Sequence, residues 1–149
     1  MSIWTHVIGT IRIESNNDKK VKKIMGEMHT WYDRRKMKYE YIEDSSCKAI
    51  PLGSEGSLEY KFFDFRDIQD PFNPDKKVSE TSCGERGLVI KGDLRDYENI
   101  DYIAQWFKNK CKRLYTRDAI ISIHCLSRIK IIYFDGNSFI ESEKNYYDD

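Results

Sequence analysis

The sequence is short of most features that would assign a function outright. It has 3 prolines and 8 glycines in 149 residues and no low-complexity tract or internal repeat, which excludes fibrous and linker-like chains. Its four cysteines (Cys47, Cys83, Cys111 and Cys125) form no Cys-x-x-Cys pair, so the usual zinc and redox spacings are absent. Neither sign of charge dominates: 25 Lys+Arg balance 25 Asp+Glu. A dedicated binder of nucleic-acid backbone carries a basic excess, and this chain has none. No G-x-x-x-x-G-K-[ST], G-x-G-x-x-G or G-x-S-x-G occurs, which removes the common phosphate loops and the serine elbow.

Long apolar runs are also missing. Ile3, Val7, Ile8, Ile11 and Ile13 are interleaved with Thr5, His6, Thr10 and Arg12, so the opening has no signal-peptide core. Nothing approaches the roughly 18 apolar residues of a membrane span. The expectation is a cytoplasmic protein with no membrane contact and with free thiols. What is present is apolar content of 40% and charged content of 34%, enough to build one core under a charged surface. Residues 1–149 are therefore read as a single domain.

The odd positions from Ile3 to Ile13 are mostly apolar and the even ones mostly polar, the period of a half-buried strand. Val21, Ile24, Met25, Met28 and Tyr32 then recur at helical spacing, predicting a helix from about Asp18 to about Tyr32. Leu58–Phe65 and Gly87–Lys91 read as strands, separated by a surface loop over about 64–86. Ile100, Ile103, Phe107, Cys111 and Leu114 predict a second helix, with Asp96 as its cap. Ala119–Leu126 and Arg128–Phe134 are β-branched strands, and Asp135-Gly136 turns into a last short strand before a frayed tail at about 143–149. The expected fold is α+β: a ferredoxin-like β-α-β-β-α-β sandwich, two helices on one face, with an added C-terminal β-hairpin.

In that plan Trp4, His6 and Arg12 occupy the sheet face away from the helices. They are the first candidates for partner binding unless the terminal hairpin or a second copy covers them. Arg34 and Arg35 add forked donors for carboxylate or phosphate. Residues 18–40 carry eight Lys/Arg against four Asp/Glu, whereas 135–149 carry five acidic residues and one Lys. That polarity can steer a charged partner. His6 and His124 fall on strands that can be neighbours, and His6 is the best single acid–base candidate. Asp64, Asp67, Asp70, Asp75, Asp93 and Asp96 invite comparison with metal nucleases, but Arg66, Lys76 and Lys77 interrupt them. No catalytic residue, metal ligand or cofactor is expected.

Ser2-Ile3-Trp4-Thr5-His6-Val7 followed by Gly9-Thr10-Ile11-Arg12 resembles the start of small bacteriophage accessory proteins. The resemblance covers the first strand only and brings no catalytic residues with it. It implies a non-enzymatic phage or mobile-element protein that binds and inhibits or sequesters a host defence component, as anti-CRISPR inhibitors do. The partner is then a host protein, or the nucleic-acid or nucleotide ligand of that protein, and a homodimer is compatible. Two other expectations stand beside it. One is an RNA- or nucleotide-binding module using the open sheet face. The other is a metal-dependent nuclease or phosphodiesterase relying on Asp64 or Asp67.

Overall fold

The computed structural model describes residues 1–14, 17–64 and 86–146, with Asp64 described by its backbone alone. Asp67, Asp70, Asp75 and Cys83, nearly all of the expected 64–86 loop, and residues 147–149 of the expected tail lie outside the described residues. The order is β1 (Trp4–Ile13), α1 (Asp18–Met25), β2 (Thr30–Asp33), β3 (Lys38–Tyr41), β4 (Glu59–Asp64), β5 (Arg86–Arg95), α2 (Ile100–Arg113), β6 (Thr116–Cys125), β7 (Arg128–Phe134) and β8 (Phe139–Asn145). Among the described residues six strands form one antiparallel sheet in the order β4-β5-β1-β6-β7-β8, and β2 pairs with β3.

This corrects the expected ferredoxin-like α+β sandwich. Among the described residues, eight strands and two short helices make a mostly-β fold, a six-stranded antiparallel sheet beside a separate two-stranded one. The main physical reason lies at Gly26. Its N–H makes the last helical bond, back to the Lys22 carbonyl, and glycine, a poor helix former, does not carry α1 past Met25. Met28 and Tyr32 therefore leave the helix, and Thr30-Trp31-Tyr32 enters a hairpin instead. Strand β5 also runs on to Arg95, through a Gly92-Asp93 pair that locally reads as a turn, because β1 pairs with it over its whole length.

Strand β1 alternates as its sequence predicts: Thr5, Val7, Gly9, Ile11 and Ile13 are buried, and Trp4, His6, Ile8, Thr10 and Arg12 are exposed. Both helices cover the buried side. Val21, Ile24 and Met25 of α1 join Ile103, Trp106, Phe107 and Cys111 of α2 in one core with Leu88, Ile90, Ile121, Ile123 and Ile132 of the sheet. The α2 cap is Asn99, whose side chain accepts from the Tyr102 N–H; Asp96, the expected cap, sits at φ +53° outside the helix. Cys111 and Cys125 are buried, as their apolar surroundings in the sequence suggest, and burial pushes the Cys111 thiol up.

At Gly9 the strands approach too closely for a side chain: a Cβ there would lie 2.7 Å from the Ile120 carbonyl oxygen and 3.0 Å from Ile121 Cγ1. Gly9→Ala is expected to cost about 1–3 kcal/mol through overpacking, read as a lower denaturant midpoint at unchanged m-value.

A buried ionic staple ties α1 to α2. Lys110 is fully buried, and its ammonium donates to the Ile24 carbonyl at 2.6 Å, to the Lys48 carbonyl at 2.9 Å and to Glu27 Oε2 at 3.3 Å. Arg113 grips the same carboxylate with two bonds, of 2.5 and 2.6 Å. Lys110 thus satisfies a carbonyl that the end of α1 leaves without a helical partner.

Candidate functional site

Two surfaces are available for recognition, and the expected site residues divide between them. Trp4, His6 and Arg12 do share one face of the main sheet, the face that neither helix covers among the described residues, as parity along β1 requires. Arg34 and Arg35 do not join them. They lie in the turn between β2 and β3, and the chain leaving that hairpin runs along α2. There Tyr97 donates to Glu43 at 2.5 Å, Tyr102 donates to the Ala49 carbonyl at 2.8 Å and Lys110 reaches Lys48. The hairpin is therefore rooted on the helical side. Burial is the main cause raising the Glu43 carboxyl above its ordinary range, against the bonds from Tyr97 and Asn99.

Several polar groups on that face are matched with one another. Arg12 holds Asp118 through bonds of 2.7 Å from Nε and 2.5 Å from Nη2, and these depress the Asp118 carboxyl. His6 Nδ1 lies 2.5 Å from Asp93 Oδ1. Glu59 stands opposite Lys91 across β4 and β5. His6 and His124 are direct cross-strand partners, ring centroids 6.5 Å apart and edge-on, so the expected neighbourhood of the two histidines is met. Both are exposed, and His6 is not a core residue. A shallow depression of about 610 Å³ runs past His6, Ile8, Lys91, Asp93, Ser122 and His124. Among the described residues no three His, Cys, Asp or Glu side chains converge to hold a metal ion. Asp93 is committed to His6, and Asp96 accepts from the Ser54 hydroxyl at 3.0 Å, which leaves neither in a carboxylate cluster.

The centre of the same face is aliphatic. Ile8 is 64% exposed, Ile120 46%, Ile131 39% and Ile140 59%, with Tyr133 at 42%. Register makes them contiguous: Ile120 faces Tyr133, which faces Ile140, and Ser122 beside Ile8 faces Ile131.

The β2–β3 hairpin is different in kind. Its strands place Tyr32 opposite Tyr39, with rings 5.0 Å apart and edge-on, and Trp31 opposite Glu40. The Asp33 carboxylate closes the turn by accepting from the Arg35 and Lys36 N–H groups at 2.8 and 3.3 Å, an Asx-type turn. Lys36 pairs with Glu40 at 2.7 Å. The turn is thereby fixed while Trp31, Met37 and Tyr39 remain 52%, 74% and 73% exposed. A depression of about 410 Å³ lies between Trp31, Tyr32, Asp33, Arg34 and Arg35.

Trp31, Met37 and Tyr39 do not stand out as site residues in the sequence, because helical spacing through Tyr32 hides β2, the strand that β3 needs to form the hairpin. The signals that would have found it are Gly26 and the aromatic alternation Lys38-Tyr39-Glu40-Tyr41. No helix among the described residues is long and apolar enough to cross a membrane. No family model, curated protein or solved structure matches the chain.

Proposed function

We propose that the chain is a non-enzymatic binding protein that docks on a protein target through the β2–β3 hairpin and blocks or sequesters that target. The observation that carries this is a hairpin which, among the described residues, pairs only with itself yet keeps Trp31, Met37 and Tyr39 in solvent beside Arg34 and Arg35. A two-stranded hairpin is marginal in water by itself; this one is anchored by Tyr41 against the core, while Trp31 and Tyr39 stay exposed. Tryptophan, tyrosine and arginine are the residues that dominate interface energetics, and here their turn is held rigid before binding, which lowers the ordering cost.

The first-strand resemblance to small bacteriophage proteins makes a bacterial defence component the target class to test first. Stacking of single-stranded RNA on the sheet is less well supported. The centre of that face is mainly aliphatic, with Tyr133 the exposed ring among Ile8, Ile120, Ile131 and Ile140, which offers bases little aromatic platform.

The test is capture from bacterial lysate by the tagged full chain, alongside an Arg34→Ala/Arg35→Ala variant. The expected result is a stoichiometric protein partner that the variant fails to retain. Recovery of nucleic acid alone, seen as excess absorbance at 260 nm and released by moderate salt, would replace this reading with the RNA-binding one.

A further inference from the structure

We infer that the hairpin selects an acidic protein segment, one whose carboxylates meet Arg34, Arg35 and Lys38 while an apolar side chain lies against Trp31. This deepens the proposed docking role and rests on it.

The reason is a local excess of positive charge in a chain that is neutral as a whole. Residues 18–40 hold eight Lys/Arg and four Asp/Glu, and all four acids are engaged. Asp18 pairs with Arg86, Glu27 with Lys110 and Arg113, and Glu40 with Lys36. Asp33 accepts from the Arg35 and Lys36 N–H groups of its own turn. Among the described residues the cations other than Lys36 have no acidic partner: Lys19, Lys20, Lys22 and Lys23 along α1, and Arg34, Arg35 and Lys38 in the hairpin. All of them are exposed, and only residues 26–29 separate α1 from β2. The acids just past β3 are also engaged, Glu43 by Tyr97 and Asp44 by Ser46 and His29. An uncompensated cluster of one sign attracts an anionic surface and rejects a cationic one.

Shape adds an apolar requirement. Cross-strand pairing puts Trp31 and Lys38 on one face of the hairpin and Tyr32, Tyr39 and Tyr41 on the other. Tyr41 packs against the core, so the Trp31–Lys38 face points away from it. The depression of about 410 Å³ lies between Trp31 and the two arginines, and forked guanidinium groups match carboxylates in geometry. Met37, 74% exposed in the turn, is a flexible apolar group suited to an adaptable protein contact. A nucleic-acid strand is the poorer match, because Trp31 and Tyr39 stand on opposite faces and successive bases cannot stack on both. The root of the hairpin is also remote from the points where residues 65–85 join the fold. Glu43 bonds to Tyr97 at the Arg95 end of β5, whereas Asp64 and Arg86 pair at its other end, about 30 Å along the strand.

Amide NMR of the isotope-labelled full chain, titrated with a short Glu-rich peptide carrying a central Phe-Leu pair, tests this. Shifts are expected at Trp31, Arg34, Arg35 and Lys38, with a Kd of about 1 mM or tighter. Arg34→Glu/Arg35→Glu should weaken binding at least about 10-fold. Raising NaCl from about 50 to about 500 mM should weaken the wild type comparably, a readout that needs no variant to fold. Replacing every Glu of the peptide by Lys should leave the hairpin unshifted, and an oligothymidylate of similar length should bind less tightly than the acidic peptide. The inference is overturned by an unshifted hairpin, by equal shifts from the Lys peptide, or by tighter binding of the oligothymidylate. The acidic peptide bound at the hairpin with no protein captured from lysate would sink the docking role alone. A partner captured through the hairpin, with no shift from the peptide, would sink only the acidic preference.

Discussion

Replacing Glu27 by alanine is expected to cost about 3–5 kcal/mol of folding stability, the range for stranding one member of a buried ion pair. Glu27 anchors both Lys110 and Arg113. Without it the Lys110 ammonium stays buried among backbone carbonyls with no anion, unless it gives up its proton. Burial already brings the Lys110 pKa down to about 8, against the opposing pull of Glu27. The double variant Glu27→Ala/Lys110→Met should lose much less than the sum of its single changes, because the stranded charge leaves with Lys110.

The pH dependence follows with a definite sign. The Arg113 bonds, helped by Lys110 and opposed by burial, hold the Glu27 carboxyl at about 2, down from 4.5. A depressed carboxyl contributes stability that is complete above pH 4.5 and lost as pH falls toward 2. Lys110 acts in the alkaline range: its depressed pKa is a penalty present below about pH 8 and relieved as pH rises toward 10.5. Urea unfolding of wild type and Glu27→Ala at several acid pH values checks the first window. The stability gap between them should narrow between pH 4.5 and 2; a gap independent of pH would contradict the staple.

Trp31→Ala should weaken binding to the captured target by about 2 kcal/mol or more, roughly 30-fold, and leave the unfolding midpoint nearly unchanged. The two halves of that statement have one cause. Trp31 is half-exposed and opposite Glu40 on a strand that, among the described residues, pairs only with β3, so little of the fold rests on it. A large indole beside the fixed Arg34–Arg35 turn has contact area to offer only when a partner arrives. Isothermal calorimetry against the target, with thermal unfolding alongside, separates the two effects. A variant that loses stability but not affinity would assign Trp31 a packing role instead.

The elements that sequence made legible are those whose causes are local. Period two in β1 put His6 on the face away from the helices and Val7 in the core. Strand β7 has the expected bounds, Arg128–Phe134. The turn after it forms because the Asp135 carboxylate accepts from the Asn137 and Ser138 N–H groups and Gly136 takes φ +98°. The elements that escaped have distant causes. The Ile24 carbonyl that the end of α1 leaves open is satisfied by Lys110, 86 positions away in the chain, and β5 extends past Gly92 because β1 supplies its partners. The site divided along the same line. Parity placed Trp4, His6 and Arg12, whereas Trp31 was hidden inside a helical spacing that Gly26 cuts short, which left the strand at Tyr39 and Tyr41 without a visible partner.

The proposed docking role is met most directly by hydroxyl-radical footprinting of the chain alone and in complex with its captured target. Trp31, Met37 and Tyr39 are reactive side chains held in solvent, and the account predicts that all three become protected on binding. If they stay as reactive as in the free chain while another surface is shielded, the hairpin is not the docking element.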